Sequence, residues 1–187
     1  MKKIPTIFLR DDKMKMTRTP NPVCDWVFAG QGVALRKFDG TCCLIRDGKI
    51  YKRRQINQGD TIPDEFEFID ADPITGKQYG WMPVNSLDSA DRYHIEAFSV
   101  IPALLWRDGT YELCGPKVQG NPEGFLTHKL IHHSIDPEHY SNVPTDYDNL
   151  KAWLAERDIE GIVWHVFDGS GLMAKIKKSD YGLKRKL

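Results

Sequence analysis

Apolar, β-prone residues alternate with polar ones in short runs along most of this chain, the period-two pattern of half-buried strands. The clearest case runs from Val33 to Arg54: "VALRKFDGTCCLIR", then Asp47-Gly48, then "KIYKRR". An Asp-Gly between two such segments is a strong hairpin signal. A second hairpin is expected where "RYHIEAFSVIPALLW" meets Asp108-Gly109 and "TYELCG". A third is expected where "IEGIVWHVF" turns at Asp168-Gly169 into "LMAKIKK". Residues 55–83, rich in Gly, Pro, Asp and Asn, read as a long irregular excursion, and "PKVQGNPEGF" reads as a loop. One helix is predicted from about Asp146 to Arg157, with Thr145 as N-cap and Leu150, Trp153 and Leu154 on one face. Several hairpins with few helices predict an α+β domain built on antiparallel sheets, without a Rossmann pattern.

Composition narrows the class. The 187 residues suffice for one domain with its own core, taken as 1–187, with 1–30 as an N-terminal arm and 178–187 as a basic tail. Hydrophobic content of 41% and charged content of 28% are those of an ordinary globular protein. No apolar run approaches the roughly 18 residues of a membrane span, and the basic N-terminus lacks a signal-peptide core. A cytoplasmic location is expected. Cys24, Cys42, Cys43 and Cys114 show no metal-ligand spacing and are expected to be reduced thiols, not a disulfide framework.

Formal net charge is zero, which argues against nucleic-acid binding by bulk charge. The charges are segregated, however: basic residues cluster at Lys49–Arg54 and Lys175–Lys186, acidic ones across "GDTIPDEFEFIDADP". Lys37 and Asp39 are two residues apart and are expected on one strand face, as are Lys175 and Lys177. Taken singly, each pattern is what a sheet with one solvated face produces. His128, His132, His133 and His139 include an i, i+4 pair, but no Glu lies beside His128 as a zinc hydrolase requires. They read as incidental or as contributors to substrate binding.

The order of these motifs carries more than any one of them. Lys37-Phe38-Asp39-Gly40 resembles the nucleotidyl-lysine motif of the covalent nucleotidyltransferases, which include polynucleotide ligases and messenger-RNA capping enzymes. "YKRR" resembles the Lys-Arg element that follows the nucleophile in RNA ligases, "TYELCG" the Glu-containing third motif, "EGIVW" the fourth and "AKIKK" the fifth. "DGTCC", "GWMPV" and "GNPEG" look closest to the small ATP-dependent 5′-3′ RNA ligases of the eukaryotic and viral RNA-repair type.

The resemblance implies a ligase adenylation fold and a reaction in three steps: lysyl-AMP formation with loss of pyrophosphate, transfer of AMP to an RNA 5′-phosphate, and attack by a 3′-hydroxyl that expels AMP. It implies ATP and magnesium, with manganese as an alternative, and RNA bearing 5′-phosphate and 3′-hydroxyl ends as the partner. Neither a membrane nor an obligate protein partner is expected. Lys37 would be the nucleophile. A free amine of pKa near 10.4 is protonated at neutral pH, so neighbouring positive charge from Lys175, Lys177 and a divalent cation would favour its attacking form. Glu160 would carry the metal, Glu112 would accept hydrogen bonds from the ribose, and Arg53 or Arg54 would hold phosphate. Asp39 would serve the later steps, and Ile162 or Val163 would cover one face of the adenine.

Two features depart from the pattern. Leu35-Arg36 stands where related ligases often carry an acidic residue, which weakens the expectation of ATP over GTP. The sequence ends ten residues after Lys177, where DNA ligases and capping enzymes generally continue into an OB-fold domain, so an RNA ligase is favoured. A capping-type guanylyltransferase and a non-catalytic nucleotide- or RNA-binding module of the same fold are the alternatives.

Overall fold

The computed structural model describes residues 2–102 and 105–185. Ala103 and Leu104 of the expected second hairpin, and Lys186 and Leu187 of the tail, lie outside the described residues, as does Met1. In chain order the elements begin with β1 (Phe8–Arg10), β2 (Met16–Pro20), α1 (Asp25–Phe28), β3 (Val33–Lys37), β4 (Thr41–Arg46) and β5 (Lys49–Ile56). There follow β6 (Glu67–Ala71), β7 (Gln78–Pro83), α2 (Arg92–Ser99), β8 (Gly109–Cys114) and β9 (Lys129–His132). The chain closes with β10 (His139–Tyr140), α3 (Tyr147–Ala155), β11 (Gly161–His165) and β12 (Met173–Lys177). The class is α+β with antiparallel sheets and few helices. No helix among the described residues is long and apolar enough to cross a membrane.

The chain divides into two compact units: Asp39–Asp136 with Met1–Lys3, and Ile4–Phe38 with Pro137–Leu187. The first is a six-stranded antiparallel sheet of order β6-β7-β5-β4-β8-β9. Its core joins Cys43, Ile45, Ile50, Tyr111, Leu113 and Leu130 to Ala97 of α2, with Tyr93, Phe98 and Trp106 packed at the margin. The β4–β5 hairpin forms as expected, with Asp47 and Gly48 both at positive φ. The second unit is a four-stranded sheet of order β10-β3-β11-β12, beside the β1–β2 pair. One face of it buries Ala34, Ile162, Trp164, Ala174 and Ile176 against α1, α3 and the N-terminal strand. The β11–β12 hairpin is the expected third one.

Several expectations fail. The stretch 92–99 is helical, so β8 has no hairpin partner there and pairs with β4 and β9 instead. The Asp88 side chain accepts from the Ala90 amide and starts a tight turn that runs into α2. Tyr93, Ala97 and Phe98 then share a helical face. Residues 55–83 are not irregular throughout, because β5 extends to Ile56 and β6 and β7 follow. Phe66 and Glu67 press so close to Gly80 that no Cβ would fit, a backbone approach disguised in sequence as a turn glycine. The helix near 146 is capped by Asp146, whose carboxylate accepts from the Asn149 amide at 3.0 Å, and not by Thr145. Residues 1–30, expected as an arm, place Ile7, Phe8, Cys24 and Val27 in the second unit's core.

Candidate active site

The second unit gathers four of the expected residues at one end of its sheet. Lys37, the last residue of β3, lies directly across from Gly161 of β11, and Gly161 in turn lies across from Lys177 of β12. Glycine is required there: a Cβ on Gly161 would sit 2.0 Å from the Ile176 carbonyl oxygen and 2.8 Å from Lys177 Cα. Two positions along, Leu35, Val163 and Lys175 form the next row on the same face. Alternation therefore sets Lys37, Lys175 and Lys177 together with Val163, while Ile162 points into the core.

Glu160 answers this cationic face. Its Oε2 lies 2.5 Å from Lys37 Nζ and its Oε1 lies 3.7 Å from Lys177 Nζ. Lys37 Nζ also donates to the Phe38 carbonyl at 3.3 Å. Burial, reinforced by the charges of Lys37 and Lys177, lowers Lys175 to about 8 from its usual 10.5. Asp180 fixes the end of β12 by accepting from the Lys177 amide at 2.9 Å.

Asp39, Arg53, Arg54 and Glu112 belong to the other unit. Asp39 is not on a strand with Lys37, contrary to expectation. β3 ends at Lys37, and Asp39 lies in the bend before β4, its amide donating to Glu123 Oε1 at 2.9 Å. The next amide, of Gly40, donates to Glu112 Oε1 at 3.1 Å. Gly40 has no room for a side chain, since a Cβ would meet the Leu113 carbonyl oxygen at 2.2 Å. The Asp-Gly pair is thus a bend pressed against β8, its two amides held by two glutamates.

Glu112 is buried, with its second oxygen 2.9 Å from His133 Nε2. Cys42 pairs with Glu112, and Cys43 opposes Lys52, so alternation gives Glu112, Cys42 and Arg53 one face of this sheet. Arg53 pairs with Trp81 and its guanidinium lies over Tyr79 at 5.0 Å. Arg54 emerges on the opposite face, alongside Lys52, which is bonded to the buried Asp91 at 2.6 and 2.7 Å. The sequence leaves Arg53 and Arg54 open, and only strand register separates them. Glu123 was not singled out by pattern, and His133 only as one of four histidines read as incidental or as contributors to substrate binding; both bond residues distant in the chain.

No group of three or more His, Cys, Asp or Glu among the described residues is disposed to hold a metal ion. A divalent ion at Glu160 would need most of its ligands from phosphate oxygens and water, which suits magnesium. The four cysteines are free thiols. Burial raises Cys24 to about 11 and holds Cys43 well above the usual thiol range, so both are inert.

Comparison with known proteins gives the family. The family model described as RNA ligase 1 matches residues 50–186. The chain is 31% identical to RNA ligase 1 of Danio rerio over 153 residues, covering 71% of this chain and 46% of that protein. It is 30% identical to RNA ligase 1 of Rattus norvegicus over 154 residues, with the same coverage. This chain belongs to the RNA ligase 1 family. It spans about half the length of these curated relatives. The matched family segment includes Arg53, Arg54, Glu112, Glu160, Lys175 and Lys177 and begins after Lys37 and Asp39.

Proposed function

We propose that this chain carries the nucleotidyltransferase fold of an ATP- and magnesium-dependent RNA ligase, joining 5′-phosphate to 3′-hydroxyl ends through AMP linked to Lys37. The observation that supports it best is one amine, at a strand end, flanked by Glu160, Lys175 and Lys177 on a single face. Family membership supports RNA as the substrate.

In the first step the Lys37 nitrogen lone pair attacks the α-phosphorus of ATP. The bond from that phosphorus to the bridging oxygen breaks, and pyrophosphate leaves with the electron pair. The amine loses protons, and Glu160 Oε2, 2.5 Å from Nζ, is the adjacent acceptor. Lys175 and Lys177 would neutralise phosphate charge as it builds. Lys175 binds an anion at a gain, because a phosphate oxygen replaces the solvation that burial removes. Glu160 would also hold magnesium, which when bound would withdraw charge from phosphate oxygens. Glu112 would accept from the ribose hydroxyls, Arg53 would hold phosphate, and Val163 would cover the adenine. Asp39 would act after the first step, near the RNA 3′-end. AMP then passes to the RNA 5′-phosphate, and the 3′-hydroxyl displaces it.

The test mixes protein, magnesium and ATP labelled in the α-phosphate, then denatures the protein and counts label. Lys37→Ala should abolish labelling while circular dichroism stays unchanged. Label retained in that variant overturns the assignment. Labelling by GTP in place of ATP would replace it with a capping-type reaction, and labelling by neither would leave a binding module.

A further inference from the structure

We infer that His133 is a positioning residue for Glu112, and that through Glu112 it sets the preference for ribonucleotides over deoxyribonucleotides. This deepens the reading above and rests on it. The imidazole bridges two side chains of β8: Nδ1 lies 2.9 Å from Thr110 Oγ1 and Nε2 lies 2.9 Å from Glu112 Oε2. Thr110 and Glu112 are two residues apart on a strand and so share a face. The backbone seats the ring as well, since the His133 amide donates to the Thr110 carbonyl at 3.0 Å. Its neighbour His132 turns the other way, edge-on to Tyr111 with centroids 4.7 Å apart.

The chemistry of the groups fixes the direction of the bond to Glu112. An ionised carboxylate only accepts, so Nε2 carries a proton toward Glu112. The Thr110 hydroxyl can donate or accept, so it partners Nδ1 whichever form the ring takes. The other carboxylate oxygen is occupied by the Gly40 amide at 3.1 Å. Glu112 is therefore held at both oxygens, by a donor next to β4 at one and a donor next to β9 at the other, which restrains rotation of the carboxylate plane. Each oxygen has a second lone-pair direction, through which a ribose hydroxyl would bond. A buried carboxylate with one donor removed would reorient toward whatever donor remains, and a hydroxyl arriving from substrate would no longer meet an aligned acceptor. A ligand lacking the 2′-hydroxyl makes fewer bonds to Glu112 and has less to lose from that change.

The experiment compares ATP with 2′-deoxyATP as donors of label to the intact chain, for wild type, His133→Ala and His133→Gln. His133→Ala should raise KM for ATP about tenfold and KM for 2′-deoxyATP less than about twofold, the loss of one charge-assisted hydrogen bond. The maximal labelling rate should change far less than KM. His133→Gln, which keeps a donor, should recover most of the preference. Should the alanine variant fail to fold, Thr110→Val should shift KM in the same selective way, to a smaller degree. An equal rise for both nucleotides shows only structural damage and overturns the inference, as does an unchanged preference. Wild type that is labelled equally well by both nucleotides sinks the inference alone. Wild type that takes no label from ATP sinks the proposed function and this inference together.

Discussion

Lys175 stands half-buried beside two other ammonium groups, an arrangement that costs the folded protein stability. Its pKa is lowered to about 8 by burial first and by Lys37 and Lys177 next. A group whose pKa is lower in the folded state penalises folding while it stays charged. The penalty is complete below about pH 8 and is relieved as pH rises toward 10.5, where the unfolded chain also loses the proton. Lys175→Met should therefore stabilise the nucleotide-free protein at pH 7 by on the order of 3 kcal/mol. That advantage should shrink between pH 8 and pH 10.5 in urea melts run side by side with wild type, while labelling by ATP is lost. The two arginines of β5 make a second contrast at this scale. Arg53→Ala should raise KM for ATP about tenfold, and Arg54→Ala should leave it within about twofold, as expected for one charged contact on the face of Glu112 and none on the other. Steady-state labelling at varied ATP measures both.

At the scale of elements, the site hangs on close backbone approaches. Gly161 sits in the row between Lys37 and Lys177, and an alanine there would drive a methyl group into the Ile176 carbonyl. Because both obstructing atoms belong to backbone, no rotamer change relieves the clash. Gly161→Ala should cost about 3 kcal/mol, visible as a lowered urea midpoint, and should weaken labelling by separating β11 from β12. Hairpins with Asp-Gly turns were legible in the sequence because alternation and turn chemistry are both local. The hairpin assigned to 92–114 was not: α2 contains β-branched and aromatic residues that suit a strand, and burial of Ala97 against the sheet decides for helix. Lys37, Glu160, Lys175 and Lys177 were singled out by their order in the chain, and the second unit brings these four together. The separation of Lys37 from Asp39 was hidden, because a bend of three residues looks like the continuation of a strand.

For the molecule as a whole, the two units explain why some spatial neighbours could not be read from the chain. The chain leaves one unit after Phe38 and returns to it at Pro137, so the sheet carrying Lys37 is assembled from segments about a hundred residues apart. Periodicity within a short window registers each strand but not its neighbours. The N-terminal residues show the same effect: polar and Pro-rich around "TRTPNP", they read as an arm, yet Ile7 and Phe8 are fully enclosed. The Lys175 backbone bonds both to Pro5 and to Ile7, so the terminal segment runs alongside the strand that carries two site lysines.

Three ammonium groups share the face that Glu160 answers at Lys37 and Lys177, although the chain is neutral overall. Such an imbalance makes small polyanions into counterions of choice. Millimolar inorganic pyrophosphate should raise the melting temperature of the wild type and should do little for Lys175→Met, a difference that a dye-based melting curve would register. Phosphate buffers would then mask the nucleotide affinity they are meant to leave untouched, and crystals grown from sulfate would arrive with the lysines already occupied.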